Sequence, residues 1–236
     1  MIAKTFLWVL MIIPITIQES PIIAEIVEDC KIYSDKTLNF PIGELYAGCF
    51  AEILEDFSME TYKVAERNFG AAGWVLADYL KIPPDAPTDE SVLTQSQLES
   101  FVNSGNHTSK TDFLILTDIS RQKTHVFIGA YQNWTLLKTL DCSTGLNVSP
   151  TTRGTFVIAD RGSWFYSERL AAGAKHWMRF NGQYLFHSIP MDKNQNIIPG
   201  EDIVGVKRSS GCIRLMPDDA KWIYNTVPDG SAVVIV

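Results

Sequence analysis

The chain has 236 residues, room for one large domain or for a small and a medium one. Its composition is that of an ordinary globular protein, 46% hydrophobic and 20% charged, without a low-complexity tract. A formal net charge of −7 argues against general nucleic-acid binding.

The N-terminus reads as an export signal. Lys4 supplies a short positive start, and residues 6–17 are apolar apart from Pro14 and Thr16, before Gln18-Glu19-Ser20-Pro21 closes the run. About a dozen apolar residues are short of the roughly 20 that a membrane-spanning helix needs. Ala24 is the candidate cleavage point, although Ile22 is larger than the small residue usual two positions earlier. Residues 1–24 are therefore read as a signal peptide or, uncleaved, as an N-terminal membrane anchor. Glu28 and Asp29 precede Cys30, which does not fit a lipid-attachment box.

Residues 25–83 read as short strands, at 26–27, 31–33, 44–46, 50–54 and 61–64, closed by Gly73-Trp74-Val75 and Ala77-Asp78-Tyr79-Leu80. Between Glu25 and Glu90 there are fourteen acidic and five basic residues. Export would expose the cysteines to oxidising conditions, so a disulfide between the neighbouring Cys30 and Cys49 is one expectation.

Residues 84–110 read as a linker. It begins with a semi-rigid Pro/Asp-rich connector, and residues 91–102 are its candidate helix. From residue 111 the strands lengthen. Residues 113–118 and 123–129 flank a turn at Ile119-Ser120-Arg121-Gln122, a hairpin. Further strands are expected at 134–143, 154–159, 183–187 and 232–236. Residues 217–226 read as a helix, with Pro217 at its start, Asp218 and Asp219 in its first turn and Pro228 just beyond its end. The fold class is accordingly mainly β.

Two short contexts in this second half carry chemistry, Phe186-His187-Ser188-Ile189-Pro190 and Ser209-Ser210-Gly211-Cys212-Ile213-Arg214-Leu215. A thiol attacks carbonyls as the thiolate, and an imidazole is the usual means of forming one near neutral pH. Gly211 leaves the approach to the Cys212 sulfur unobstructed. A lone cysteine is more often a small buried hydrophobe, so the pair alone is weak evidence. Between Arg161 and Arg214 eight basic residues face four acidic ones, a local excess suited to carboxylate-bearing substrates or to a merely solvated surface. His125 and His176 read as structural or exposed, and Cys142 as packed beneath the site. Paired metal-ligand spacings such as C-x-x-C are absent from the sequence, so neither a metal nor a cofactor is expected.

The segment Cys142-Ser143-Thr144-Gly145, followed by Ser149-Pro150-Thr151-Thr152-Arg153-Gly154-Thr155-Phe156, resembles the signature of the L,D-transpeptidases. His187 and then Ser209-Ser210-Gly211-Cys212 follow in that family's order, and the resemblance covers residues 112–236. It implies a catalytic domain at 111–236. The short strands of 25–83, ending in Gly-Trp-Val, resemble a bacterial SH3-like barrel, a common wall-targeting module.

By position, the resemblance makes Cys212 the nucleophile toward the peptidoglycan stem bond before the terminal D-alanine. His187 would be the base, the Ser188 backbone carbonyl its orienting partner, and the Gly211 backbone part of an oxyanion hole. Arg214, Ser210, Trp164, Trp177 and Tyr184 are the substrate-contacting candidates. Trp164 and Trp177 come from an aromatic-rich stretch that would form a lid, with ordinary core packing as the competing reading. Arg214 would share the sulfur's face on a strand, anchoring a stem carboxylate or bracing the loop. Ser210 stands where many members have a histidine and cannot carry a proton near neutral pH as imidazole does. The loop 188–209 is long and polar.

The same residues with water as acceptor would make an L,D-carboxypeptidase, and a non-catalytic wall-binding protein is the alternative from another class. In papain-like peptidases the cysteine precedes the histidine, the reverse of the order here.

Overall fold

The computed structural model describes residue 17 and residues 21–67, 70 and 72–236. The leader expected at 1–24 lies outside the described residues, apart from Ile17 and residues 21–24. Among the described residues no helix is long and apolar enough to cross a membrane.

The first unit is a seven-stranded antiparallel sheet. Its strands are β1 (Ile23–Ile26), β2 (Cys30–Tyr33), β3 (Pro41–Leu45), β4 (Phe50–Phe57), β5 (Thr61–Glu66), β6 (Ala72–Leu76) and β7 (Leu80–Lys81). They lie in the order β3-β2-β6-β5-β4-β1-β7. Alternation turns Ile26, Ile32, Ile53, Tyr62, Val64 and Val75 into one apolar core. Fully burying each of the isoleucines and valines among them contributes about 1.5–3 kcal/mol. The unit starts earlier than expected at residue 25. Ala24 is fully buried in β1 opposite Ala51, so cleavage after it would cut a core strand in half.

Cys30 and Cys49 belong to this core as separate thiols, not as the expected disulfide. Cys30 lies opposite Leu45 across β2 and β3, whereas Cys49 closes the turn before β4. Burial, with Asp29 adding, pushes the Cys30 thiol up to about 11.

The connector is docked rather than free-running. The Asp89 N–H donates to the Ser120 carbonyl at 2.8 Å, Asp89 pairs with Arg121 at 2.9 Å, and Thr88 Oγ1 donates to the Gly205 carbonyl at 3.0 Å. Helix α1 (Gln95–Ser104) begins later than the predicted 91, at a reciprocal cap. There the Gln97 N–H donates to Thr94 Oγ1 and the Thr94 N–H to Gln97 Oε1.

The second unit is a nine-stranded sheet with two helices. Its strands are β8 (Phe113–Asp118), β9 (Lys123–Ala130), β10 (Asn133–Ser143), β11 (Gly154–Val157), β12 (Arg161–Ser167), β13 (Ala172–Asn181), β14 (Tyr184–Ser188), β15 (Ile213–Leu215) and β16 (Ala232–Ile235). Their order is β11-β16-β8-β9-β10-β15-β14-β13-β12, parallel only at β8/β16 and β14/β15. β8 reads as an unbroken apolar run because both its faces are covered. Ile115 enters the core under α2 (Pro217–Thr226), and Leu114 and Leu116 enter the core under α1. The aromatic-rich stretch expected to form a lid is the hairpin β12–β13.

Candidate active site

The parallel pair β14/β15 positions the two reactive side chains. A parallel pair cannot be closed by a tight turn, which is why residues 189–212 form a long crossover between them. Phe186 faces Ile213 and His187 faces Arg214 across the pair. Phe186, Ile213 and Leu215 point into the core, so His187 and Arg214 share the opposite side of the sheet, and Cys212 stands immediately before β15.

His187 is buried, and its Nδ1 lies 2.5 Å from the Ser188 carbonyl oxygen. A carbonyl only accepts, so Nδ1 carries the proton and the lone pair sits on Nε2. Nε2 has no hydrogen-bond partner among the described residues. Burial pulls the imidazole pKa down to about 4; the Ser188 hydrogen bond opposes this, and Arg214 adds to it. The Phe165 ring of β12 meets the imidazole in a T-shaped contact, with centroids 5.8 Å apart. The Cys212 sulfur is half-buried and 3.8 Å from the Gln183 carbonyl, to which the thiol donates. Burial pushes its pKa up, opposed by the Leu185 backbone and by the charges of Arg214 and Arg179. The resting site therefore holds a neutral thiol and a neutral imidazole with a free lone pair.

The Ser-Thr-Gly and Thr-x-x-Gly segments clamp the cysteine turn. The Thr144 carbonyl accepts the N–H groups of Arg208 and Ser209 at 2.8 and 3.0 Å. Gln122, reached from the β8–β9 turn, holds Thr144 itself through its backbone N–H at 2.8 Å and its hydroxyl at 2.7 Å. Thr151 Oγ1 accepts the Gly145 N–H at 2.9 Å and donates to the Gly211 carbonyl at 2.8 Å. Gly145 must be glycine because a Cβ there would lie 2.2 Å from the Ser149 carbonyl oxygen. Gly211 has φ +96° and packs on Tyr184, whose Cε1 would be 2.1 Å from a Cβ at that position. Ser209 Oγ donates to the Cys212 carbonyl at 2.5 Å, while Ser210 is exposed.

The other expected residues are placed as follows. Arg214 pairs with Glu201 of the crossover at 2.7 Å, and Arg208 reaches the same carboxylate at 3.3 Å, so both brace the loop. Trp164 and Trp177 are half-buried against Gly173 and Gly162 of their own hairpin. It is Phe165 that touches His187. Tyr184, expected to contact substrate, is instead 3% exposed and packed beneath the turn, because β14 alternates it to the side of Phe186. His125 is buried with Nδ1 2.9 Å from Thr139 Oγ1. Cys142 is fully buried in the core behind β15, its thiol pushed by burial up to about 12. Among the described residues no group of histidine, cysteine, aspartate and glutamate could hold a metal ion.

The L,D-transpeptidase catalytic domain (YkuD) profile matches residues 112–235, over half of the chain, and the chain belongs to that family of acyltransferases. It is 38% identical over 125 residues to the Bacillus subtilis protein YciB, provisionally named an L,D-transpeptidase. That match covers 50% of this chain and 62% of YciB, so the chain spans less than two thirds of that relative. Among solved structures it is similar to a fused zinc-dependent amidase/peptidase/peptidoglycan-binding domain-containing protein from Clostridium acetobutylicum. That likeness has 34% identity and a TM-score of 0.52, covering 60% of this chain and 59% of the other. An L,D-transpeptidase from Stackebrandtia nassauensis is 19% identical with a TM-score of 0.44, covering 56% of this chain and 59% of that one.

Proposed function

We propose that the chain is an exported peptidoglycan L,D-transpeptidase with Cys212 as nucleophile. Nε2 of His187 takes the thiol proton as sulfur attacks the carbonyl before the terminal D-alanine of a tetrapeptide stem. Backbone N–H groups at Gly211 and Cys212 hold the oxyanion, each donor being worth about 3 kcal/mol. The C–N bond breaks, the proton passes from Nε2 to the departing D-alanine amine, and a thioester remains. An acceptor amine then attacks, its proton passing by way of His187 to the sulfur as the C–S bond breaks.

The observation carrying this reading is the hydrogen bond from His187 Nδ1 to the Ser188 carbonyl. It leaves the Nε2 lone pair available on β14, the parallel partner of the strand that Cys212 immediately precedes. Of the two readings of Arg214, its ion pair with Glu201 favours bracing of the loop over anchoring of a stem carboxylate. The first unit is read as an SH3-like wall-binding domain. The two-domain division is read as residues 23–83, starting at the first residue of β1, and 111–236.

The test is to incubate the protein with a tetrapeptide stem and excess free amine and follow the products by mass spectrometry. Release of D-alanine with a new stem–amine bond is expected. Release of D-alanine with only the tripeptide would make the chain an L,D-carboxypeptidase, and no turnover by folded protein would leave the wall-binding reading.

A further inference from the structure

Asp56 is a buried carboxylate for which acyl transfer supplies no direct use. It sits on β4 of the first unit, 5% exposed, and accepts three hydrogen bonds. The Met59 N–H donates at 3.2 Å from the same strand end, Ser149 Oγ at 3.1 Å and Tyr184 Oη at 3.4 Å. Burial pushes its pKa up, and the three donors oppose that shift.

Two of those donors belong to the second unit, and both lead to the cysteine turn. The Tyr184 ring is the surface on which Gly211 packs. Ser149 begins the segment whose Thr151 holds the Gly211 carbonyl, and the Pro150 carbonyl also faces Gly211. The first unit grips this segment at further points. Tyr62 Oη donates to the Val148 carbonyl at 2.6 Å, Asp85 accepts the Asn147 N–H at 2.7 Å, and Glu52 pairs with Arg153.

We infer that the first unit completes the active site, with Asp56 as a positioning residue that fixes the Gly211–Cys212 turn through Ser149 and Tyr184. The inference rests on the transpeptidase reading for its catalytic consequence, but the positioning itself can be measured without it. Asp56 touches neither sulfur nor imidazole. It sets where the sulfur stands relative to the Nε2 lone pair, and a small misplacement of a reacting atom costs rate far more than binding.

The test uses the full chain with Asp56→Ala, Ser149→Ala and Tyr184→Phe, and Glu25→Gln, whose ion pair with Lys81 stays within the first unit, as a control. Two readouts are taken on variants with wild-type circular dichroism: carbapenem acylation over a concentration series, and iodoacetamide alkylation of Cys212 by peptide mapping. Each of the three variants is expected to slow saturating acylation at least about ten-fold at unchanged half-saturation. The Asp56→Ala/Ser149→Ala pair should be no slower than the slower single change, because the groups act as a unit. Alkylation of Cys212 should rise as the turn loosens, and Glu25→Gln should match wild type.

Wild-type acylation in folded Asp56→Ala would overturn the inference, as would equal slowing in Glu25→Gln. If Asp56→Ala does not fold, wild-type rates in both Ser149→Ala and Tyr184→Phe overturn it. If wild-type protein is alkylated at Cys212 but never acylated, the transpeptidase reading fails, and the alkylation rates alone decide the role of Asp56.

Discussion

His187 and Arg214 stand opposite each other on the parallel strands β14 and β15, and the guanidinium adds to burial in holding the imidazole pKa at about 4. The proposed base is thus neutral throughout the neutral range. Burial likewise favours the thiol form of Cys212, because it pushes that pKa up. On the proposed mechanism the thiolate would form as the substrate arrives rather than be stored as an ion pair.

This sets the pH dependence of acylation. With the base titrating near 4, the rate should stay level from about pH 8 down to about pH 5 and fall only below that. Arg214→Gln should move the acidic limb upward by removing the nearby charge. Carbapenem acylation rates across pH check both; a wild-type limb near pH 6.5 would contradict the assignment.

Stability should fall over the same interval. His187 and His125 have folded pKa values of about 4 against an ordinary value of 6.5, in both cases chiefly through burial. The unfolded chain therefore takes up protons between 6.5 and 4 that the folded chain refuses. Their contribution is fully present above 6.5 and is lost as pH falls toward 4. At pH 5 each should cost about 2 kcal/mol relative to pH 7. Urea midpoints at the two values test this, and His125→Gln should flatten the slope.

Gly211→Ala places a Cβ 2.1 Å from the Tyr184 ring on a backbone with φ +96°. The turn must shift, costing about 1–3 kcal/mol from the backbone conformation alone. Acylation should drop by about a hundred-fold. A melting curve together with acylation kinetics reads both effects.

Thr151→Val keeps the shape of the side chain but removes the hydroxyl that joins the Gly145 N–H to the Gly211 carbonyl. Two groups lose their partner, at about 1–3 kcal/mol each where they stay buried. Thr151→Ser should retain the wild-type unfolding midpoint and acylation rate, which a denaturation series beside the acylation assay would establish.

Local signals made much of this legible. Pro217, the acids of the first turn and Pro228 mark α2 with the bounds the structure gives, 217–226. Turn residues between two apolar runs mark the β8–β9 hairpin. The β12–β13 hairpin escaped because its aromatic residues do not alternate with polar ones, and the positive φ of His176 breaks the period. The Asp56, Ser149 and Tyr184 cluster joins residues separated by up to 128 positions, and no local pattern encodes that meeting. Phe165 was hidden for a similar reason. Among several neighbouring aromatics, only the pairing of β12 with β13 selects the one that meets His187.

The central claim is that Cys212 carries the acyl group with His187 as its base, and intact-mass analysis after exposure to a carbapenem tests it most directly. Wild-type protein should gain the mass of one carbapenem, Cys212→Ala should gain none, and His187→Ala should gain it about a hundred-fold or more slowly. No adduct on folded wild-type protein, or an adduct that persists in Cys212→Ala, would contradict the account.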